Sequence, residues 1–157
     1  MLKAKKVSDS LTEQIRIVIS PDINSFGRLF GGQLLKWIDE VAGATARRHC
    51  GRNATTAAID NLQFKSGAFL NDVLVIIGRV THVGNTSMEV RVDTYIEDAE
   101  GIRTAINRAY FVMVCMDEND TPTTAPGLIL ESPEEEMEWE NAKKRRELRL
   151  KRRKEGY

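Results

Sequence analysis

One long helical stretch, flanked by segments of strand character, constrains the fold of this chain more than any other feature. Residues 31–48 carry apolar side chains at helical spacing. The stretch ends near Cys50-Gly51, after basic residues suited to the negative end of a helix. Tight connections at Gly84-Asn85 and Glu100-Gly101 join strand-like segments, so we expect most of the sheet to be antiparallel. The pattern predicts an α+β fold in which a sheet of about five or six strands wraps around one long central helix.

The strand-like segments give this prediction its detail. Residues 73–77 are all apolar, so the segment 73–83 is predicted as a central strand. Side-chain character alternates strictly in residues 88–97, which places every second side chain on an inner face of the sheet. Five segments have strand composition: residues 13–19, 55–64, 73–83, 88–97 and 104–116. Together with the helix they predict one domain over residues 8–127.

A charged segment follows this domain. Pro122, Pro126 and Pro133 end the core, and residues 133–157 are predicted as a charged C-terminal helix or tail around Trp139, Leu148 and Leu150. Its basic run over residues 143–154 allows contact with RNA or with an acidic partner. Pairing between its own Glu and Lys or Arg residues explains the same charges as a solvated helix, and this interpretation disfavours nucleic acid.

Composition excludes several classes of protein. The chain of 157 residues has a formal net charge of zero, so no overall field favours nucleic acid or an anionic membrane. No apolar run approaches the roughly 20 residues that a membrane-spanning helix needs, and no secretory segment follows Met1. Cys50 and Cys115 lack metal-binding or redox spacing, so we expect free thiols in a cytoplasmic compartment and no metal site.

Asp39 is the residue of the helical stretch that most needs an explanation. A carboxylate on the buried face of a helix is costly unless something uses it. At about 100° per residue, its helical neighbours are apolar and mostly small, which leaves room for a ligand or a second helix. These neighbours are Gly32, Leu35, Ala42, Gly43 and Ala46. An ordinary surface acid beside small residues is the alternative that the helix alone leaves open.

Three separated segments resemble the hotdog-fold acyl-CoA thioesterases. The first is the sequence Asn24, Gly27, Gly31-Gly32, Trp37 and Asp39, which matches the bacterial short- and medium-chain and animal cytosolic acyl-CoA hydrolases. The second is the strand start at residues 55–60, and the third is the turn at residues 83–89. The resemblance covers roughly residues 10–127 and implies a single hotdog domain. Residues 66–72 depart from the family pattern, which affects the expected rim of the pocket.

The resemblance also implies a reaction and its residues. The reaction is hydrolysis of acyl-CoA to a fatty acid and coenzyme A. Coenzyme A is then a part of substrate and product, and no cofactor is expected. Asn24, Gly31, Gly32 and Asp39 are the expected catalytic residues. The expected coenzyme A-binding residues are Thr56, Ala57, Asn85, Thr86 and Ser87. For the phosphates of coenzyme A, the candidates are Arg79, Arg91, Arg103 and Arg108, which the sequence does not rank.

The chemistry of a thioester suits these positions. Unpaired backbone N–H groups of Gly31 and Gly32, at the start of a helix, can bind a developing oxyanion. A Gly-Gly pair that only shapes a tight turn is the alternative. Asp39 can act as a general base on water or as a direct nucleophile, and Asn24 can orient the water or hold the carbonyl. His49 and His82 show no ligand spacing and are expected to be structural.

Distance along the helix predicts how such a site is assembled. Asp39 lies seven residues beyond Gly32, or ~10 Å along the axis, so one helix cannot bring both to the same carbonyl carbon. A second copy related by a two-fold axis can. We therefore expect a homodimer as the minimal active unit, and the resemblance implies a trimer of dimers. A non-catalytic acyl-CoA sensor on the same fold is the alternative function.

Overall fold

The computed structural model describes residues 2–157. The chain begins with β1 (Lys5–Lys6), α1 (Val7–Ser10), β2 (Thr12–Ile17) and a 3-10 turn at Ser20–Asp22. The long helix α2 (Gly31–Cys50) follows. The remaining elements are β3 (Ala54–Phe64), β4 (Val73–Val83), β5 (Ser87–Glu97), β6 (Arg103–Cys115), β7 (Leu128–Ile129) and α3 (Pro133–Glu155). The predicted elements are therefore present, whereas the short β1, α1 and β7 carry no periodic signal that could have predicted them.

Five strands form one antiparallel sheet in the order β2-β4-β5-β6-β3. A separate parallel pair joins β1 to β7. The predicted α+β hotdog architecture, with one long helix and a C-terminal helix, is confirmed. The prediction that residues 73–83 form the central strand is wrong, because β2 pairs with the outer side of β4 and leaves β5 in the middle. The boundaries at residues 8–127 and 133–157 stay predictions.

Helix α2 packs against the inner face of this sheet. Its buried side, which includes Leu34, Ile38 and Val41, joins the core contributed by the strands. The helix packs tightly on β4 at Gly78, where an added Cβ atom would lie 2.9 Å from a methyl group of Val41. The helix ends at Gly51, whose φ of 69° suits glycine. Burial of this apolar side fixes the orientation of α2, and with it the direction of Asp39.

Helix α3 lies on the opposite, outer face and is held there by buried ion pairs. Arg145 donates two hydrogen bonds to Glu89, at 3.0 and 2.7 Å, and its guanidinium stacks 3.7 Å from the centre of the Tyr110 ring. Arg149 and Arg152 both bind the carboxylate of Asp60. Basic residues of the helix therefore pair with acids of the sheet, and the predicted pairing within the helix is also present, at Lys143–Glu140, Arg145–Glu138 and Lys151–Glu155.

Three apolar residues of the C-terminal segment behave differently from one another. Trp139 packs against the core, and its ring centre lies 4.2 Å from that of His82. Leu148 and Leu150 are exposed. Leu148 lines a pocket with Asp60 of β3 and Arg145, where α3 meets the sheet. Within residues 2–157, no helix is long and apolar enough to cross a membrane.

Candidate active site

Asn24 opens a tight loop that leads into α2. Its side-chain oxygen accepts hydrogen bonds from the backbone N–H groups of Phe26, at 2.9 Å, and Arg28, at 3.2 Å. Its own backbone N–H donates to the carbonyl of Arg28 at 2.7 Å. The loop thus uses the oxygen of the amide, and no acceptor for Asn24 Nδ2 is present in residues 2–157. Asn24 can therefore donate a hydrogen bond to a ligand through Nδ2.

Gly31 and Gly32 form the first two positions of α2. The helix has no side-chain cap, and the hydrogen bonds of its first turn begin with the N–H of Gln33, which donates to Phe30 at 3.0 Å. The two glycine amides precede that bond and so belong to the unpaired donors of a helix start. A Cβ atom on Gly31 would lie 3.6 Å from the ring of Phe64. Gly31 borders the cleft beside Asn24, whereas the ring of Phe30 packs beside Gly32, where an added Cβ atom would lie 2.6 Å from it.

A cleft of about 250 Å³ joins Asn24 and Gly31. Its walls come from the loop before α2, the start of α2, the end of β3 with the loop that follows, and β6. The lining residues are Asn24, Arg28, Leu29, Gly31, Leu34, Phe64, Lys65, Ser66, Gly67, Ala68 and Ile106. Asp39 does not line this cleft. Of the four predicted catalytic residues, Asn24 and Gly31 thus line the cleft, whereas Gly32 and Asp39 do not.

Asp39 lies instead beside β3. The hydroxyl of Thr56 donates a hydrogen bond of 2.6 Å to its carboxylate and also lies 3.4 Å from the sulfur of Met113. Asp39 is partly exposed, so its predicted place on a buried face is wrong. One side of α2 is uncovered in the single chain, as the open space around Gly43 shows. The predicted catalytic residues therefore lie in two places, with Asn24 and Gly31-Gly32 at the start of α2 and Asp39 farther along the helix, where it accepts a hydrogen bond from Thr56.

The contact between Asp39 and Thr56 is the part of the site that the sequence did not predict. Thr56 was expected to bind coenzyme A, and no periodicity relates it to a helix residue seventeen positions earlier. The contact depends on where the first residues of β3 pass α2. The helix cap at Gly51 reverses the chain, and pairing of Thr56 with Met113 fixes that position. To predict this contact from the sequence, one would have had to know the strand register.

The other residues predicted to bind coenzyme A lie at the same end of the sheet. Ala57 is exposed at a register shift between Thr56 and Ala58. Thr55 and Ser87 flank Val114 of β6 from opposite sides, so β3 and the turn after β4 are about 10 Å apart. The carbonyl group of Ser87 accepts a hydrogen bond from Gly84 within this turn, and those of Thr86 and Asn85 accept from Cys115 and Ala125. Their side chains do not line the cleft that contains Asn24.

Three of the four arginines considered for phosphate binding are already ion-paired. Arg91 and Arg108 bind the same buried carboxylate, that of Asp93, at 2.7 and 2.6 Å. Arg103 binds Glu97 at 2.8 Å and Glu13 at 3.1 Å. Arg79 is the exception, since it has no acidic partner within the described residues. A ligand phosphate would have to compete with internal carboxylates for the other three.

Both histidines make structural contacts. His49 is buried, and its Nε2 lies 2.9 Å from the carbonyl oxygen of Pro126. His82 stacks on Trp139. Burial lowers the pKa of both side chains, because it disfavours the charged form. Within residues 2–157, no group of three His, Cys, Asp or Glu side chains is arranged to hold a metal ion.

Comparison with known proteins places this architecture in a family. The family model of the Thioesterase superfamily matches residues 26–102. An uncharacterised acyl-CoA thioester hydrolase from Bacillus subtilis is 35% identical over 117 residues, which are 74% of this chain and 68% of the relative. The chain therefore belongs to the Thioesterase superfamily. It spans only 24% and 40% of the length of longer relatives, a mouse acyl-coenzyme A thioesterase and a rat cytosolic acyl coenzyme A thioester hydrolase.

Solved structures agree with the fold over nearly the whole chain. A Staphylococcus aureus acyl-CoA hydrolase variant in complex with coenzyme A superimposes with a TM-score of 0.93 at 31% identity, over 99% of this chain and 93% of that one. A hexameric acyl-CoA thioesterase without ligand gives a TM-score of 0.91 at 39% identity, over 96% of this chain and 97% of that one. The similarity includes the C-terminal helix, because it extends beyond residue 127.

Proposed function

We propose that this protein is an acyl-CoA thioesterase that hydrolyses acyl-CoA to a fatty acid and free coenzyme A. The observation that carries the proposal is the division of the site. Asn24 and Gly31 line one cleft, and Asp39 with Thr56 lies outside it. The two groups supply complementary parts of a hydrolytic site, an oxyanion-binding part and a carboxylate. A homodimer can combine the first part from one subunit with the second from its partner.

The proposed chemistry follows from the hydrogen bonds of each group. The amides of Gly31 and Gly32, with Nδ2 of Asn24, bind the thioester carbonyl and stabilise the negative charge that develops on its oxygen. In one route Asp39 removes a proton from the attacking water, and the carbon–sulfur bond breaks to release the thiolate of coenzyme A. In the other route Asp39 attacks the carbonyl carbon itself, expels the same thiolate and forms an anhydride that water then hydrolyses. Thr56 holds the carboxylate in one orientation through its hydroxyl group.

Variants of a related protein support this assignment. Three solved structures of the Staphylococcus aureus acyl-CoA hydrolase carry alanine in place of an asparagine, an aspartate and a threonine. Their positions are separated by fifteen and seventeen residues, the same spacing as Asn24, Asp39 and Thr56 in this chain. The same enzyme was also crystallised with butyryl coenzyme A and coenzyme A. The matching spacing singles out the same three residue types here.

The assembly that this site needs is a dimer. Strand β3 is an edge strand, and its residues Thr55, Thr56 and Ala57 are all exposed. An edge strand with free backbone groups can pair with a second copy. We propose a homodimer as the minimal active unit and a trimer of dimers as the full assembly, which the hexameric relative supports. We further propose a cytoplasmic location and no cofactor other than the substrate's own coenzyme A.

Release of free coenzyme A from acyl-CoAs of increasing chain length tests the proposal. Wild type should turn over at least one of them, and Asp39→Asn should lose about 10²- to 10⁴-fold in kcat. Glu40→Gln is the matched control, because Glu40 is the next acid of the same helix and pairs on the surface with Arg16. Equal kcat for Asp39→Asn and wild type would contradict the assignment. Thermal stabilisation by acyl-CoA without any turnover would favour the acyl-CoA sensor instead.

Labelled water separates the two roles of Asp39. In a single turnover in H₂¹⁸O, a general base leaves the label in the fatty acid alone. A nucleophilic carboxylate acquires the label when its anhydride is hydrolysed at the Asp39 carbon. Label found by mass spectrometry in the peptide that contains Asp39 therefore excludes the general-base role.

A further inference from the structure

The cleft between Asn24 and Gly31 carries an unbalanced positive charge. Arg28 and Lys65 are among its lining residues, and none of the residues that line it is acidic. Three other arginines, Arg91, Arg103 and Arg108, are paired with acids. Two cations that converge on a small cleft without a carboxylate are suited to an anion from a ligand.

Local structure holds Arg28 at this position. Its backbone bridges to Phe69, and its guanidinium lies 5.4 Å from the centre of the Phe69 ring. A Cβ atom on Gly67 would lie 2.9 Å from Nη1 of Arg28, so a glycine at this position makes room for the guanidinium. Within residues 2–157, neither Arg28 nor Lys65 forms an ion pair. The planar guanidinium is therefore supported by the loop and available to a carboxylate or a phosphate.

Lys65 reaches the same cleft from the other wall. Its backbone N–H donates to the carbonyl of Ile106 at 3.1 Å, which extends the edge of the sheet by one residue beyond β3. Leu29, next to Arg28, donates to the carbonyl of Ala68 at 2.7 Å and ties the two walls together. The backbone on both sides of the cleft is thus fixed, and the two cations belong to the same site as the amide of Gly31.

We propose that Arg28 and Lys65 bind an anionic group of the thioester substrate. This inference rests on the proposed thioesterase function and adds a substrate class to it. The anion has two sources in such a substrate. It is either a carboxylate at the far end of a short acyl group, as in succinyl-CoA, or a phosphate of coenzyme A. In both cases the cations contribute through substrate binding, so the effect of their removal is on KM more than on kcat.

Three substrates distinguish the two sources: butyryl-CoA, succinyl-CoA and butyryl-pantetheine, which lacks the phosphates. The variants are Arg28→Met and Lys65→Met. Lys36→Met and Arg47→Met are matched controls, because both remove an exposed cation of α2 that does not line the cleft. Loss of a hydrogen bond to a charged group should lower kcat/KM roughly 10- to 100-fold, mainly through KM.

Each outcome supports or overturns the inference. A loss confined to succinyl-CoA identifies the acyl carboxylate. A loss for both coenzyme A esters that spares butyryl-pantetheine identifies a phosphate. Values of kcat/KM within about twofold of the controls for all three substrates overturn the inference while leaving the thioesterase assignment intact.

Failure of the proposed function gives a different result. Wild type would then hydrolyse none of the three compounds, and the same variants are compared by calorimetric binding of succinyl-CoA and butyryl-CoA. Weaker binding by Arg28→Met and Lys65→Met than by the controls still supports anion binding in the cleft. Unchanged affinity overturns it.

Discussion

Thr56 on β3 donates a hydrogen bond of 2.6 Å to the carboxylate of Asp39 on α2. The bond connects the edge strand of the sheet with the central helix at a point where the helix side is otherwise open. It also orients an acid that the apolar flank of α2 would leave free to rotate. The same two elements, helix and edge strand, are the ones a second subunit would meet in the proposed dimer.

Removal of this hydroxyl group should impair turnover without unfolding the protein. Thr56→Val keeps the shape of the side chain but cannot donate to Asp39, and a hydrogen bond to a charged group contributes about 1.5–3 kcal/mol. We expect kcat to fall roughly 10- to 100-fold. Thr56→Ser retains a hydroxyl and should recover most of the rate. Equal loss in both variants would indicate that the methyl group, and not the hydrogen bond, matters.

Removal of the Arg145 side chain should destabilise the docking of α3. Arg145→Met leaves the carboxylate of Glu89 buried without its cation and removes the stacking on Tyr110. Breaking a buried pair in this way costs about 3–5 kcal/mol in the free energy of unfolding. Urea denaturation measures the loss. Arg146→Met is the control, since Arg146 is exposed, and it should change stability by less than about 0.5 kcal/mol.

Acidification should destabilise the fold through both histidines. Burial lowers the pKa of His49 and His82 below 6.5 in the folded state, so the unfolded chain binds protons first as the pH falls. The free energy of unfolding should therefore decrease as the pH drops below about 6.5, until the folded-state pKa values are passed. For His82, the carboxylate of Glu89 opposes this shift, and nearby cations strengthen it.

Urea unfolding at about pH 7.5 and about pH 5.5 measures this dependence. His82→Asn should reduce the difference in stability between the two pH values, because one of the two groups with a lowered pKa is gone. An equal pH dependence in the variant and in wild type would exclude a contribution from His82.

A side chain at Gly78 should separate α2 from the sheet. The added Cβ of Gly78→Ala would lie 2.9 Å from a methyl group of Val41 and would overlap the hydroxyl of Thr45. Thr45 cannot easily give way, since its hydroxyl donates to the carbonyl of Val41 at 2.8 Å. We expect destabilisation of about 1–3 kcal/mol in thermal or urea unfolding. Gly127→Ala is the control, because its Cβ would meet Ala4 at an ordinary 3.5 Å.

Much of the fold could be predicted because its signals are local. The apolar spacing of α2 and the alternation in β5 follow from side-chain periodicity, and the observed bounds differ from the predicted ones by one or two residues. Strand order is not local. The five segments alone do not say that β2 adds to the outer side of β4, so the centre of the sheet was assigned to the wrong strand.

The partners of charged residues in the sheet were also beyond prediction from the sequence. Arg91, Arg103 and Arg108 looked equivalent to any other basic residue as candidates for a phosphate. Each has a carboxylate partner that strand register brings within 2.8 Å or less. Arg28 and Lys65 carried no pattern that singled them out, yet they are the cations that line the cleft. Ion pairing depends on which strands become neighbours, and composition does not contain that information.

The sequence by itself determined the helix, the strands and the presence of Asn24, Gly31-Gly32 and Asp39 at spacings that suit thioester chemistry. These features depend on residues close together in the chain, where periodicity and backbone preferences act directly. The tertiary structure decided that Thr56 binds Asp39 and that the cleft beside Asn24 excludes Asp39. It also decided which cations remain unpaired. All three depend on contacts between distant segments, which form only when burial of the apolar core has fixed how helix and sheet lie against each other.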